Sequence, residues 1–165
     1  MCKLDRRWTK QIHDEGQGSL KIWRAFSVHG IWLFILSSIV MLYSTGTTYL
    51  AFLILVPVAA TIITTFLIRY IVRRPRPSVE TSYKPWLNQF SFPSAHASVS
   101  FAFATSIGLL AFEILYTTAI MIGTVMLILA TIISISRIIV GVHYFSDVVA
   151  GALLGILVSV TLLGL

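Results

Sequence analysis

Cysteine is almost missing from this chain: one thiol, Cys2, stands in 165 residues. No internal disulfide framework can form, which excludes the small stapled scaffolds of secreted proteins. Cys2 itself reads as an inert terminal thiol rather than a lipid anchor. Charge is nearly as scarce, with 11% charged residues against 57% hydrophobic ones. With a mean hydropathy of +0.90, that balance excludes a soluble globular domain and points to a multi-span membrane protein. Acidic residues are the rarest charges, six against twelve basic ones, for a net charge of +6. A basic chain suggests nucleic acid, but here the basic residues flank apolar segments and form no soluble face, so nucleic acid is excluded as a partner. No internal repeat or low-complexity tract appears. The first apolar stretch is too long, and lacks the small-residue cleavage site, for a cleavable signal peptide.

What is present is apolar sequence in long runs. No Asp, Glu, Lys or Arg occurs from Ala25 to Ile68, room for two helices of about 20 residues each. Further uncharged runs cover 85–112, 114–136 and 148–165. The expected fold is an all-α integral membrane bundle of about five spanning helices. They are placed near Ala25–Ser44, Tyr49–Val72, His96–Phe112, Leu115–Ile135 and Phe145 to the end. Thr45-Gly46-Thr47 and Glu113 mark turns, and the polar connection 73–95 carries Pro75, Pro77, Pro85 and Pro93. Before the first span, Leu4, Trp8 and Ile12 recur every four residues, as on a helix lying in the membrane interface. Two units follow: an interfacial segment, 1–24, and a membrane-embedded domain, 25–165. Gly151 and Gly155 have the small-xxx-small spacing that permits close helix packing.

Threading five spans puts the N-terminal segment, the 73–95 loop and the 137–143 connection on one side of the membrane. All twelve Lys and Arg fall there. The positive-inside rule assigns that side to the cytoplasm.

Three polar clusters lie at the same side: Arg69-x6-Arg76-Pro77, Pro93-Ser94-Ala95-His96, and Ser136-Arg137-x5-His143-x3-Asp147. Charged groups at a bilayer are costly, and such residues default to a functional reading. Arg69 and Arg76 are two helical turns apart and can face one side, although snorkelling interfacial anchors have the same pattern. Ser94 can cap a helix whose free N–H groups form an anion site; a plain helix start is the bland alternative. His143 and Asp147 are spaced i, i+4, so the carboxylate can accept from Nδ1 and leave Nε2 nucleophilic toward phosphorus. Read structurally, Asp147 is only an acidic helix cap. A metal site built from His96, His143 and Asp147 is disfavoured, because three guanidinium groups would repel a divalent cation and attract a phosphate. No cofactor is called for. His13 and His29 read as interfacial or packed against polar neighbours.

In this order and spacing, the clusters resemble the signature motifs of the type 2 phosphatidic acid phosphatase superfamily, the lipid phosphate phosphatases that share a site with vanadium haloperoxidases. The family patterns are Lys-x6-Arg-Pro, Pro-Ser-Gly-His and Ser-Arg-x5-His-x3-Asp. The third is matched in full; Arg69 stands for the lysine of the first and Ala95 for the glycine of the second. The resemblance implies a metal-independent phosphatase acting on a lipid phosphate in the bilayer. His143 would be the nucleophile that forms a phosphohistidine, Asp147 its orienting carboxylate and His96 the general acid and base. Arg69, Arg76, Ser94, Ala95 and Arg137 would hold the phosphate. Phosphatidic acid, phosphatidylglycerol phosphate and polyprenyl phosphates or diphosphates such as undecaprenyl diphosphate fit equally, and oligomeric state is not legible. Two other classes stay open: a transferase or peroxidase using the same pocket, and a non-catalytic membrane protein that binds or transports lipid.

Overall fold

The computed structural model describes residues 3–45, 48–77, 90–114 and 116–164. Expectations for Cys2, Gly46 and Thr47, Lys84, Pro85 and Leu115 lie outside the described residues. Helix α1 spans Lys3–Gly16, followed by a 3-10 turn over Gln17–Ser19; then come α2 (Leu20–Thr45), α3 (Thr48–Val72), α4 (Ala95–Ile114), α5 (Tyr116–Ile139) and α6 (Phe145–Leu163). Among the described residues there is no strand, only an isolated bridge between Pro75 and Phe90. The all-helical expectation holds. Among the described residues, three stretches are long and apolar enough to cross a membrane, Phe52–Val72, Met121–Ile139 and Phe145–Leu163, with a shorter apolar helix at Ala95–Leu110.

Two helix ends differ from the hydropathy pattern. Helix α2 starts at Leu20, five residues before the apolar run, and α5 continues to Ile139. Both extensions carry polar residues, Lys21 and Arg24 in one and Ser136 and Arg137 in the other. Backbone hydrogen bonding does not stop at the lipid boundary, and Lys and Arg are good helix formers. Arg137 therefore belongs to the last turn of α5.

Helix α4 is the hub, buried between α3, α5 and α6. Its Phe103 and Ile107 join Phe34 of α2, Ile54 of α3 and Ile133 of α5 in the core, and Phe34 stacks on Phe103 at 5.8 Å. Against α6 the contact is made by small residues. A Cβ on Gly151 would meet the Ser94 carbonyl at 2.6 Å, and one on Gly155 would strike the α4 backbone at Ser98 and Ala102. Ser159 Oγ of α6 donates to the Ala102 carbonyl at 3.2 Å. Lipid offers no hydrophobic drive between helices, so close packing and such bonds hold the pair. The outer faces are greasy: Ile63, Leu67, Tyr70, Ile71, Leu153 and Leu157 are all exposed.

Candidate active site

At one end of the bundle α3, α4, α5 and α6 bring their polar termini together, and α1 lies across them. Helix α5 closes with its Gly141 in the left-handed region, φ 79°. Gly141 N–H donates to the Ile138 carbonyl at 2.9 Å and Val142 N–H to the Arg137 carbonyl at 3.1 Å. That paired pattern is a Schellman ending, which favours glycine there because a Cβ is penalised at positive φ. It carries the chain from Arg137 to His143 in one tight turn. Helix α6 follows at once, and Asp147, its third residue, accepts the Tyr144 N–H on Oδ2 at 2.9 Å. The x5 and x3 spacings are thus a helix stop and a helix start set back to back.

His143 is 1% exposed and Asp147 is fully buried. Nδ1 of His143 lies 3.6 Å from Asp147 Oδ2, within ion-pair range but beyond a hydrogen bond. The expected Nδ1 bond is therefore a looser approach to an oxygen that also accepts the Tyr144 amide. On the ring's other side Arg76 Nη1 stands 3.2 Å from Nε2 and also donates to the Val142 carbonyl at 2.7 Å. A guanidinium only donates, so in this contact Nε2 is the acceptor and the ring proton sits on Nδ1, facing Asp147. Burial first, then the charges of Arg137, Arg76 and Arg69, push His143 well below its ordinary 6.5. The ring in the α5–α6 turn is neutral at pH 7, with its lone pair on the arginine side.

The other motif residues surround it. Arg69, buried near the end of α3, donates from Nε to the Pro93 carbonyl at 2.8 Å. Arg73, left-handed at φ 48°, ends α3 and turns Arg74 and Arg76 back over the site. Ser94 is fully buried. Its N–H donates to the Asp147 carbonyl at 2.9 Å, and its Oγ lies 3.5 Å from the Ala97 N–H as the cap of α4. Ala95 and His96, half-buried, open α4, and His96 lies within electrostatic reach of Arg137, His143, Arg69 and Arg76. Arg137 is buried at the end of α5; its Nη1 donates to the Ser27 carbonyl of α2 at 3.1 Å and to Ser27 Oγ. All eight expected residues thus gather at one end of the bundle.

Residues 46–164 match the PAP2 superfamily. The chain belongs to that superfamily. No curated protein matches the sequence significantly. Among solved structures, this PAP2 chain is similar to the first transmembrane PAP2 type phosphatidylglycerolphosphate phosphatase from Bacillus subtilis, with a TM-score of 0.80 and 19% identity over 99% of this chain and 86% of that one. It is also similar to Aquifex aeolicus LpxE, with a TM-score of 0.78 and 21% identity over 99% of this chain and 97% of that one. At such identity the likeness establishes the fold.

Groups that the motif spacing does not single out also reach the PAP2 site. Ser27 holds Arg137, and nothing in the apolar run around it signals this. Arg74 donates to Asp147 Oδ1 at 2.7 Å although it reads in the sequence as one more basic anchor. Asp5 pairs with Arg74 at 2.5 Å. A signal for Asp5 did exist, since Asp5, Thr9 and His13 recur every four residues beside the apolar stripe of α1.

Proposed function

We propose that this PAP2 protein is an integral membrane phosphatase that removes a phosphate monoester or diphosphate from a lipid through a phosphohistidine, without a metal. The observation that carries the reading is the buried His143 ring set between Asp147 on Nδ1 and Arg76 on Nε2. A nucleophile toward phosphorus needs an available lone pair and a cation beside the oxygens it will approach.

The lipid's phosphate enters the cationic cup made by Arg69, Arg76 and Arg137 with Ser94 and the first N–H groups of α4, beside Ala95. Arg76 transfers its donor from Nε2 to a phosphate oxygen. Nε2 attacks phosphorus, the bond to the leaving lipid oxygen breaks, and His96 supplies that oxygen with a proton. Asp147 offsets the charge that develops on the ring. Water then attacks phosphorus while His96 takes its proton, the phosphorus–nitrogen bond breaks with its electron pair returning to Nε2, and inorganic phosphate leaves with both histidines restored.

The lipid-facing α3 and α6 support a substrate that arrives from the bilayer. Phosphatidic acid, phosphatidylglycerol phosphate and polyprenyl phosphates or diphosphates, undecaprenyl diphosphate among them, share the chemistry the cup recognises. The basic residues of α1 and of 69–76 lie at the same end as the site, which supports a cytoplasmic active face. Residues 1–24 then form an interfacial segment and 25–165 the membrane-embedded domain. The test is phosphate release from a panel of these lipids by detergent-purified protein with EDTA present. Release that survives EDTA supports the reading; release abolished by EDTA, or none from any lipid, overturns it.

A further inference from the structure

Helix α6 begins with N–H groups that no carbonyl of its own helix can satisfy. Asp147 takes one of them, at Tyr144. The next two are taken by a different helix. Phe145 N–H donates to Thr9 Oγ1 at 3.0 Å, and Ser146 N–H donates to Asp5 Oδ1 at 3.0 Å. Ser146 Oγ donates to Asp5 Oδ2 at 2.7 Å. Thr9 spends its own hydroxyl proton on the Asp5 carbonyl at 2.7 Å, which turns an oxygen lone pair toward Phe145. A carboxylate at this end of α6 also complements the helix dipole.

The clamp extends beyond α6. One turn further along α1, His13 Nδ1 lies 2.7 Å from the Ile139 carbonyl at the end of α5. Trp8 stacks on Phe145 with ring centroids 6.3 Å apart, and Ile12 packs against Ala97, Ile138 and Val148. The polar stripe of α1 thus faces the two helix ends that bracket His143, and its apolar stripe lies alongside.

Arg74 ties this cap to the reacting dyad. Its Nη2 reaches Asp5 Oδ2 at 2.5 Å, its Nη1 reaches Asp147 Oδ1 at 2.7 Å, and its guanidinium carbon lies 4.2 Å from the Tyr144 ring centroid. The carboxylate facing His143 is therefore fixed on one oxygen by the Tyr144 amide and on the other by Arg74, which Asp5 anchors in turn. A guanidinium committed to two carboxylates is a brace, in contrast to the arginines of the phosphate cup.

We propose that Asp5, Thr9 and Arg74 are positioning residues of the phosphatase site, with α1 acting as an external cap on α6 that sets Asp147 and, through it, the His143 ring. The rate effect rests on the phosphohistidine reading; the geometric effect does not. The test uses the full chain in detergent with Asp5→Asn and Thr9→Val, singly and together. Hydrolysis of phosphatidic acid is resolved into kcat and KM, and His143 is followed by imidazole nitrogen NMR.

Misplacing a reacting group by a fraction of an ångström should lower kcat by about 10- to 100-fold and leave KM within about threefold. The double variant should lose much less than the product of the single losses, because both act through one cap. The His143 nitrogen resonances should move in each variant. Wild-type kcat per folded molecule with unmoved resonances overturns the proposal, even where the melting temperature has dropped. If Asp5→Asn does not fold, Thr9→Val, which removes one hydroxyl and no charge, carries the same test. If the unmutated protein releases phosphate from no lipid, the phosphatase reading falls. The His143 resonances then decide this inference alone, shifted in support of it or unshifted against it.

Discussion

Arg76 Nη1 and His143 Nε2 meet at 3.2 Å, so the group proposed to grip the phosphate also covers the nitrogen proposed to attack it. One donor serves two acceptors in turn, and its geometry matters as much as its charge. Replacing Arg76 with Lys keeps the charge but removes the planar fork. We expect Arg76→Ala to cost about 100- to 1,000-fold in kcat, the range for one donor to a developing anionic charge. Arg76→Lys should recover only part of that loss. Steady-state kinetics on a lipid phosphate measure both, and full recovery by lysine would show that charge alone suffices.

Close approach of α6 to α4 sets the distance between the His143 turn and the start of α4. A methyl group on Gly155 would run into α4 backbone that cannot step aside, whereas Gly18, in the turn after α1, has nothing within 4 Å of an added Cβ. Gly155→Ala is expected to lower stability by about 1–3 kcal/mol, the usual cost of overpacking, and to reduce activity with it. Gly18→Ala should leave both unchanged. Thermal unfolding in detergent, read beside phosphate release, separates the two variants.

These relationships are unequally legible in the sequence. Apart from the polar ends of α2 and α5, the apolar helices could be placed from uncharged runs, because lipid admits only a backbone that satisfies itself. Arg69, Arg76, Ser94, His96, Arg137, His143 and Asp147 stood out because polar groups are conspicuous in so apolar a chain. Their convergence followed from threading the spans. Ser27 was not legible: one serine in an apolar run carries no sign of which arginine it will meet. The brace from Asp5 through Arg74 to Asp147 links positions 5, 74 and 147, a pairing that no local periodicity encodes. The stripe of Leu4, Trp8 and Ile12 is legible as an interfacial face of α1, and the adjacent stripe of Asp5, Thr9 and His13 faces the site.

Asp5 gives a pH signature with a definite sign. Partial burial raises its pKa, but hydrogen bonds from Ser146 and Arg74 outweigh this and leave the carboxyl below its ordinary 3.8. A carboxylate with a lowered folded pKa stabilises the docked helix fully above the unfolded value. That contribution fades as pH falls through the lowered one. Fluorescence of Trp8, which stacks on Phe145, reports the docking as the difference between the wild-type protein and Trp8→Phe. The signal should stay flat from neutral pH down to the ordinary carboxylate range and change only below it. In Asp5→Asn that acid transition should disappear. A transition near neutral pH would show that some other group holds α1.

Phosphoryl transfer to His143 is tested most directly by rapid acid-free quenching of the enzyme mixed with radiolabelled lipid phosphate. It predicts a protein-bound label that is lost in acid, stable in base and mapped to residue 143. The label should be absent in His143→Ala, and it should persist longer in His96→Ala supplied with a phosphate ester whose leaving group needs no proton. Turnover with no label on His143, or undiminished turnover in purified His143→Ala, would contradict it.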